Sequence, residues 1–155
     1  MSKTIYVYDP STGKISYTIE NAKTENAISL KNRGINFFAD TINHKIIGTY
    51  VVKHEVTGQP IGIENIKEMT SVIINKTQVV ADGNDTVIIA PLLEGTTVNI
   101  SKENFSFVSD LENNSVEITA DGYSLDETEN VIYVSLSKYG YKNKGFMINI
   151  IPDVV

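Results

Sequence analysis

Short runs of β-branched and aromatic residues, each closed by a cluster of turn formers, recur along almost the whole of this chain. Ile5–Tyr8 and Lys14–Ile19 flank Asp9, Pro10, Ser11, Thr12 and Gly13, five turn formers in succession, which predicts a β-hairpin. The later runs are broken by Asp82-Gly83-Asn84-Asp85, Glu94-Gly95, Glu112-Asn113-Asn114, Asp121-Gly122 and Tyr139-Gly140-Tyr141. Punctuation this frequent leaves little room for helices of ordinary length, so the expected fold class is mainly β.

Thr24–Arg33 is the one segment that reads as a helix. Thr24 can cap its start and Glu25 suits the positive end of the dipole. Ala27, Ile28 and Leu30 form an apolar stripe, Lys31 and Arg33 suit the last turn, and Gly34 supplies a left-handed stop. Strands at Ile35–Ala39 and Ile46–Lys53 are expected to follow, with Asn43-His44 as the turn between them.

Charge suggests where the chain divides. Residues 1–67 carry 8 basic and 6 acidic side chains, net +2, whereas residues 68–155 carry 5 basic and 13 acidic, net −8. The change follows the turn-rich stretch Thr57–Gly62, so a small α+β domain at 1–67 and a second domain at 68–155 are expected. The 155 residues suffice for two small cores. Strands of the second domain are expected at Ser71–Val80, Thr86–Ala90, Thr96–Ile100, Asn104–Val108, Ser115–Thr119, Val131–Ser137 and Gly145–Ile151. Turn signals at such regular spacing indicate an antiparallel β-sandwich. Val116, Ile118 and Ala120 alternate with Glu117, Thr119 and Asp121. Ile132, Val134 and Leu136 likewise alternate with Val131, Tyr133 and Ser135, the pattern of half-buried strands.

Composition excludes several chemistries. There is no cysteine, so disulfides, thiolate nucleophiles and cysteine metal sites are absent. A single arginine and a net charge of −6 argue against nucleic-acid binding. Residues 1–20 lack a secretory-signal pattern, and no apolar run is long enough for a membrane span. His44 and His54 lack metal-ligand spacing and are expected to be solvated loop residues. Asp82-Gly83-Asn84-Asp85 has the oxygen donors a calcium ion takes but not the spacing of an EF-hand loop, and an ordinary turn is the favoured reading. No metal, cofactor or catalytic residue is expected.

Several segments resemble a known kind of protein. Ala81–Ile89 (ADGNDTVII), Glu94–Ile100 (EGTTVNI) and Ile132–Ile150 (IYVSLSKYGYKNKGFMINI) resemble the immunoglobulin-like modules of bacterial surface proteins and of tailed-bacteriophage structural proteins. The opening hairpin and IIGTYVVKHEVTGQPI resemble N-terminal modules of phage tail accessory proteins. The resemblance implies an N-terminal docking domain followed by an immunoglobulin-like β-sandwich. The chain would then be a non-enzymatic virion component made in the host cytoplasm and multi-copy or homo-oligomeric among other virion proteins. A tail or baseplate accessory role is the leading expectation and capsid decoration the alternative. A glycan-binding adhesion module acting on host surface sugars is a further alternative.

Interaction residues are sought in the last hairpin and at the C-terminus. Tyr139 and Tyr141, with Lys142 and Lys144 beside them, suit either an exposed anchor or a brace for the turn. Tyr133 and Phe146 are expected in the core. Ile151, Val154 and Val155 end the chain on apolar residues, as would a strand edge that needs covering.

Overall fold

The computed structural model describes residues 2–101, 105–123 and 130–153. The fold is mainly β, with thirteen strands and one helix among the described residues. The chain forms two compact units. The first comprises Met1–Lys67 together with Tyr139–Tyr141, and the second Glu68–Lys138 with Lys142–Val155.

In the first unit, β1 (Lys3–Tyr8) and β2 (Ile15–Ala22) form the expected hairpin, and β3 (Phe37–Asp40) pairs on the other side of β1. Asp9 closes the turn. Its carboxylate accepts from the Ser11 N–H at 2.8 Å and the Ser11 hydroxyl at 2.6 Å, and its carbonyl accepts from the Gly13 N–H at 2.8 Å. β1 is covered on both faces, so Ile5, Tyr6, Val7 and Tyr8 are all buried. On one face the Tyr6 ring meets His44 edge-on with centroids 5.4 Å apart, and Lys53 Nζ lies 5.8 Å from the Tyr8 ring centroid. Ile5 and Val7 pack with Leu30 of α1 (Thr24–Asn32) against Ile19, Ala22, Ala27, Ile35, Phe37 and Ala39. Each such fully buried aliphatic side chain contributes about 1.5–3 kcal/mol relative to exposure.

The helix departs from expectation at its start. Its N-cap is Lys23, not Thr24, and the Lys23 N–H donates to the Asn26 side-chain carbonyl at 2.8 Å. Ile28 faces solvent, so the buried side is narrower than the expected stripe. The stop is as expected. Gly34 has φ +69°, with Ile35 N–H donating to Leu30 O at 3.0 Å and Gly34 N–H to Lys31 O at 3.1 Å. This is a Schellman closure, and Ile35 and Leu30 supply its hydrophobic contact.

β4 (Thr49–Lys53) and β5 (Pro60–Asn65) complete the unit as a hairpin. β5 corrects the reading of Thr57–Gly62 as turn alone. Pro60 sits at the first position of the strand, where its missing N–H is tolerated, and a register shift lies beside it. Ile46 and Ile47 are exposed and precede the strand expected to contain them.

The second unit holds β6 (Ile73–Ile74), β7 (Gln78–Val80), β8 (Val87–Ala90), β9 (Thr97–Ile100), β10 (Phe105–Val108), β11 (Val116–Ile118), β12 (Val131–Ser137) and β13 (Lys144–Ile151). The sheets run β10-β9-β12-β13-β7 and β11-β8-β6. All pairings are antiparallel except β7 with β13. The single strand expected over Ser71–Val80 is two strands serving different sheets. Asn75 stands at the break, its side-chain carbonyl accepting from the Ile88 N–H at 2.8 Å. Val87 and Ile89, Val98 and Ile100, Val116 and Ile118, and Ile132, Val134 and Leu136 are buried while their neighbours face outward. Burial of one face on each of two sheets gives the unit its β-sandwich-like character.

Candidate interaction surface

Tyr139 is the most heavily engaged of the expected interaction residues. Within the first unit, the strand pattern explains what holds it. Val51 N–H donates to Gly13 O at 2.8 Å. The Val51 carbonyl leaves the strand on the same side and so lies outside the β4–β5 ladder. The Tyr139 hydroxyl donates to that carbonyl. The Tyr139 ring meets the buried Tyr50 ring edge-on, with centroids 5.8 Å apart at 82°. Lys53 Nζ lies 4.5 Å from the Tyr139 centroid and donates to Pro10 O at 3.0 Å. Burial, then the neighbouring Tyr8 and Tyr50 groups and the Asp9 charge, push the Tyr139 phenol pKa strongly upward.

Glycines make this packing possible. A Cβ on Gly13 would lie 2.7 Å from the Tyr139 ring, and one on Gly140 would lie 2.6 Å from the Tyr50 ring. Gly140 is held at both ends of its peptide. Its N–H donates to Thr12 O at 3.1 Å, and its carbonyl accepts from Lys67 N–H at 3.0 Å. Tyr141 is half-buried, with Lys67 Nζ 5.9 Å from its ring centroid. Tyr139 therefore has the geometry of a brace within the first unit.

The remaining expected residues lie in the second unit. Lys142 is exposed. Lys144 is half-buried, and its ammonium donates to Met69 O at 2.9 Å and Val72 O at 2.8 Å. Both lysines line a cleft of about 220 Å³ with Glu68, Met69, Thr70 and Asn143. Ile151 is half-buried and pairs with Val80, its carbonyl accepting from Ala81 N–H at 3.0 Å. The end of β13 is thus covered by β7 of the same unit. Val154 and Val155 lie outside the described residues. Tyr133 corrects the expectation of a core position. It shares a face with Val131 and Ser135, opposite the buried Ile132, Val134 and Leu136, and is 56% exposed beside Met147. Phe146 is half-buried, with Lys144 Nζ 5.6 Å from its ring centroid.

The ionisable groups sit in structural settings. His44 is half-buried rather than a freely solvated loop residue. Its Nε2 is 2.8 Å from Asp40 Oδ2, and its N–H donates to the Tyr6 hydroxyl at 2.8 Å. The hydrogen bond from His44, followed by those from the Ile42 and Thr41 N–H groups, holds the Asp40 carboxyl below the usual carboxylate range. His54 is exposed, and its Nδ1 accepts from the Val56 and Thr57 N–H groups at 3.2 and 3.3 Å. Asp82 accepts from the Asn84 and Asp85 N–H groups, both at 2.8 Å, and these bonds hold its carboxyl pKa down. Asp85 pairs with Lys76 and accepts from Val80 N–H at 2.8 Å. These carboxylates do the work of an ordinary turn. Among the described residues no three His, Asp or Glu side chains converge as metal ligands, and no helix is long and apolar enough to cross a membrane. Asp121-Gly122 and Asp126–Glu129 make a second acidic stretch, of which Asp126–Glu129 lies outside the described residues.

One feature of the surface escaped the sequence reading, the exposed apolar edge at β10. Phe105 is 51% exposed and Val108 60% exposed, at the margin of the five-stranded sheet. A signal was present in Phe105–Val108, a short strand without a single charged residue in an acidic half of the chain.

Compared with known proteins, the chain matches no family model, no curated protein and no solved structure.

Proposed function

We propose that this chain is a non-enzymatic structural component of a tailed-bacteriophage particle, a tail or baseplate accessory protein in which residues 1–67 dock and an immunoglobulin-like module is displayed. The strand order of the second unit carries this reading. β11-β8-β6 has the order E-B-A of an immunoglobulin-like sheet, and β10-β9-β12-β13 has the order C′-C-F-G of its partner sheet. The first strand divides between the two sheets, with β7 running parallel to β13. Fold order alone does not define a function, so the resemblance of the N-terminal hairpin to tail accessory modules supplies the particle. The Asp9, Asp40, Asp82, Asp85 and Asp110 carboxylates accept backbone N–H groups in turns, an arrangement that favours a scaffold role.

The test is proteomic. Gradient-purified particles from a host carrying the coding sequence should contain this chain in the tail-enriched fraction, detected by mass spectrometry. Its absence from intact particles overturns the proposal, and its presence only in capsid fractions replaces the tail role with decoration.

A further inference from the structure

The solvated face of an antiparallel sheet is where a protein ordinarily places charge. The second half of this chain has charge in abundance, residues 68–155 holding 5 basic and 13 acidic side chains. Among the described residues, none of it stands on the outer face of the five-stranded sheet. Val98, Ile100, Val134, Leu136, Ile148 and Ile150 are buried on the inner face. By alternation, the outward positions of β7, β9, β10, β12 and β13 are Gln, Thr, Asn, Ser, Val, Tyr, Gly, Met and Ile only. The smaller sheet, by contrast, carries Glu117 on its outer face.

Cross-strand register sets Ser106, Asn99, Ser135 and Gly145 side by side in one row. One step along the strands, Tyr133 stands beside Met147, 56% and 51% exposed. The Tyr133 backbone is fixed, its N–H donating to the Ser101 hydroxyl at 3.0 Å and its carbonyl accepting from Ser101 N–H at 3.0 Å. Polar side chains elsewhere in the unit are committed to nearby backbone. Asn75 accepts from Ile88, Asp82 from Asn84 and Asp85, and Ser109 bonds Thr96 and Leu93. Among the described residues, Asn99, Ser106 and Ser135 have no such side-chain bond, and all three are exposed.

We propose that this face binds a neutral glycan, with Tyr133 as the platform and Asn99, Ser106 and Ser135 as the groups that pair with sugar hydroxyls. Hydroxyl and amide side chains donate and accept, as sugar hydroxyls do, so the row matches a polyol without desolvating a charge. The exposed Tyr133 ring gives the C–H face of a sugar an apolar body to pack on. A protein partner favours different chemistry. Interface cores are enriched in aromatic residues, Met and Arg and depleted in serine, whereas Ser, Asn, Ser and Gly fill this row. A nucleic acid needs cations, and the face has none. The net −8 of residues 68–155 repels sulfated or sialylated chains, which narrows the ligand to uncharged sugars. Such binding belongs to the second unit alone and goes beyond the assembly role above.

The full chain, coupled at many copies per bead, is applied to an array of neutral hexose and N-acetylhexosamine oligosaccharides, with sialylated and sulfated chains alongside. Binding should appear on neutral members only and should persist at high salt, because no ion pair carries it. Tyr133→Ala and Asn99→Ala, made separately and checked by thermal melting, should each weaken binding about tenfold. Tyr17→Ala, which removes an exposed tyrosine from the first unit, should leave binding unchanged. No binding to any neutral member overturns the proposal. So does binding to charged chains alone, binding that neither Tyr133→Ala nor Asn99→Ala weakens, or a silent array with a protein held through the same face. Absence of the chain from particles, with glycan binding intact, would overturn only the reading of function.

Discussion

Gly140→Ala separates two effects that coincide at one residue. Gly140 has φ +79°, where a side chain costs about 1–2 kcal/mol through contact with its own backbone. The added Cβ would also lie 2.6 Å from Tyr50 Cε2. Tyr50 has little freedom to yield, being 6% exposed and in edge contact with Tyr139, whose hydroxyl is anchored on Val51 O. Overpacking of this kind adds about 1–3 kcal/mol. Gly34→Ala is the internal control. It lies in the same unit with φ +69° and meets nothing within 4 Å, so only the backbone contribution applies. The expected losses are therefore about 2–5 kcal/mol for Gly140→Ala and about 1–2 kcal/mol for Gly34→Ala. Urea titration followed by far-UV circular dichroism and tyrosine fluorescence measures both. In a unit of this size each kcal/mol should also lower Tm by about 4–8 °C. Equal losses for the two variants would refute the reasoning, because the Tyr50 ring would then be free to move aside.

Ser109→Ala should destabilise the second unit by about 1–3 kcal/mol, read by the same titration. The buried Ser109 hydroxyl accepts from Thr96 N–H at 3.0 Å and donates to Leu93 O at 2.6 Å, and a loss below the error of the measurement would count against that role. Asp40→Asn should alter the acid limb of stability. Because the folded-state pKa of Asp40 lies below its ordinary 3.8, its contribution is fully present above that pH and fades as pH falls through the folded value. The difference in urea midpoint between wild type and Asp40→Asn should therefore shrink as pH falls from above 3.8, and a constant difference would refute the assignment.

Period-two alternation made much of the second unit legible. Val116, Ile118 and Ala120, expected on one face, are all buried, and β12 spans Val131–Ser137 as expected. The same parity contained the answer for Tyr133. Ile132, Val134 and Leu136 form the more apolar set, and the aromatic on the other face faces outward whatever its size. β1 escaped a one-face description because Leu30 packs against Ile5 and Val7 while His44 and Lys53 lie over Tyr6 and Tyr8, so four consecutive residues are buried. β5 was obscured by Pro60 and Gly62, turn-type residues tolerated at a strand start and beside a register shift.

The remaining gaps share a cause. Alternation reports which face of a strand is buried but not which strand lies beside it, because neighbours are set by pairings between residues far apart in sequence. Tyr139 illustrates this: its hydroxyl partner, Val51, lies 88 residues away, and no local pattern distinguishes a brace from an exposed anchor. β10 illustrates the converse. Its uncharged sequence would pass unnoticed in a central strand, where both edges are paired. At the margin of a sheet whose other edge is closed by Asp85, the same four residues leave Phe105 and Val108 exposed and pair with β9 alone among the described residues. Sequence supplies the absence of charge and topology supplies the open edge. Only the two together distinguish β10 from the other edge strands among the described residues, such as β11 with Glu117 and β5 with Pro60.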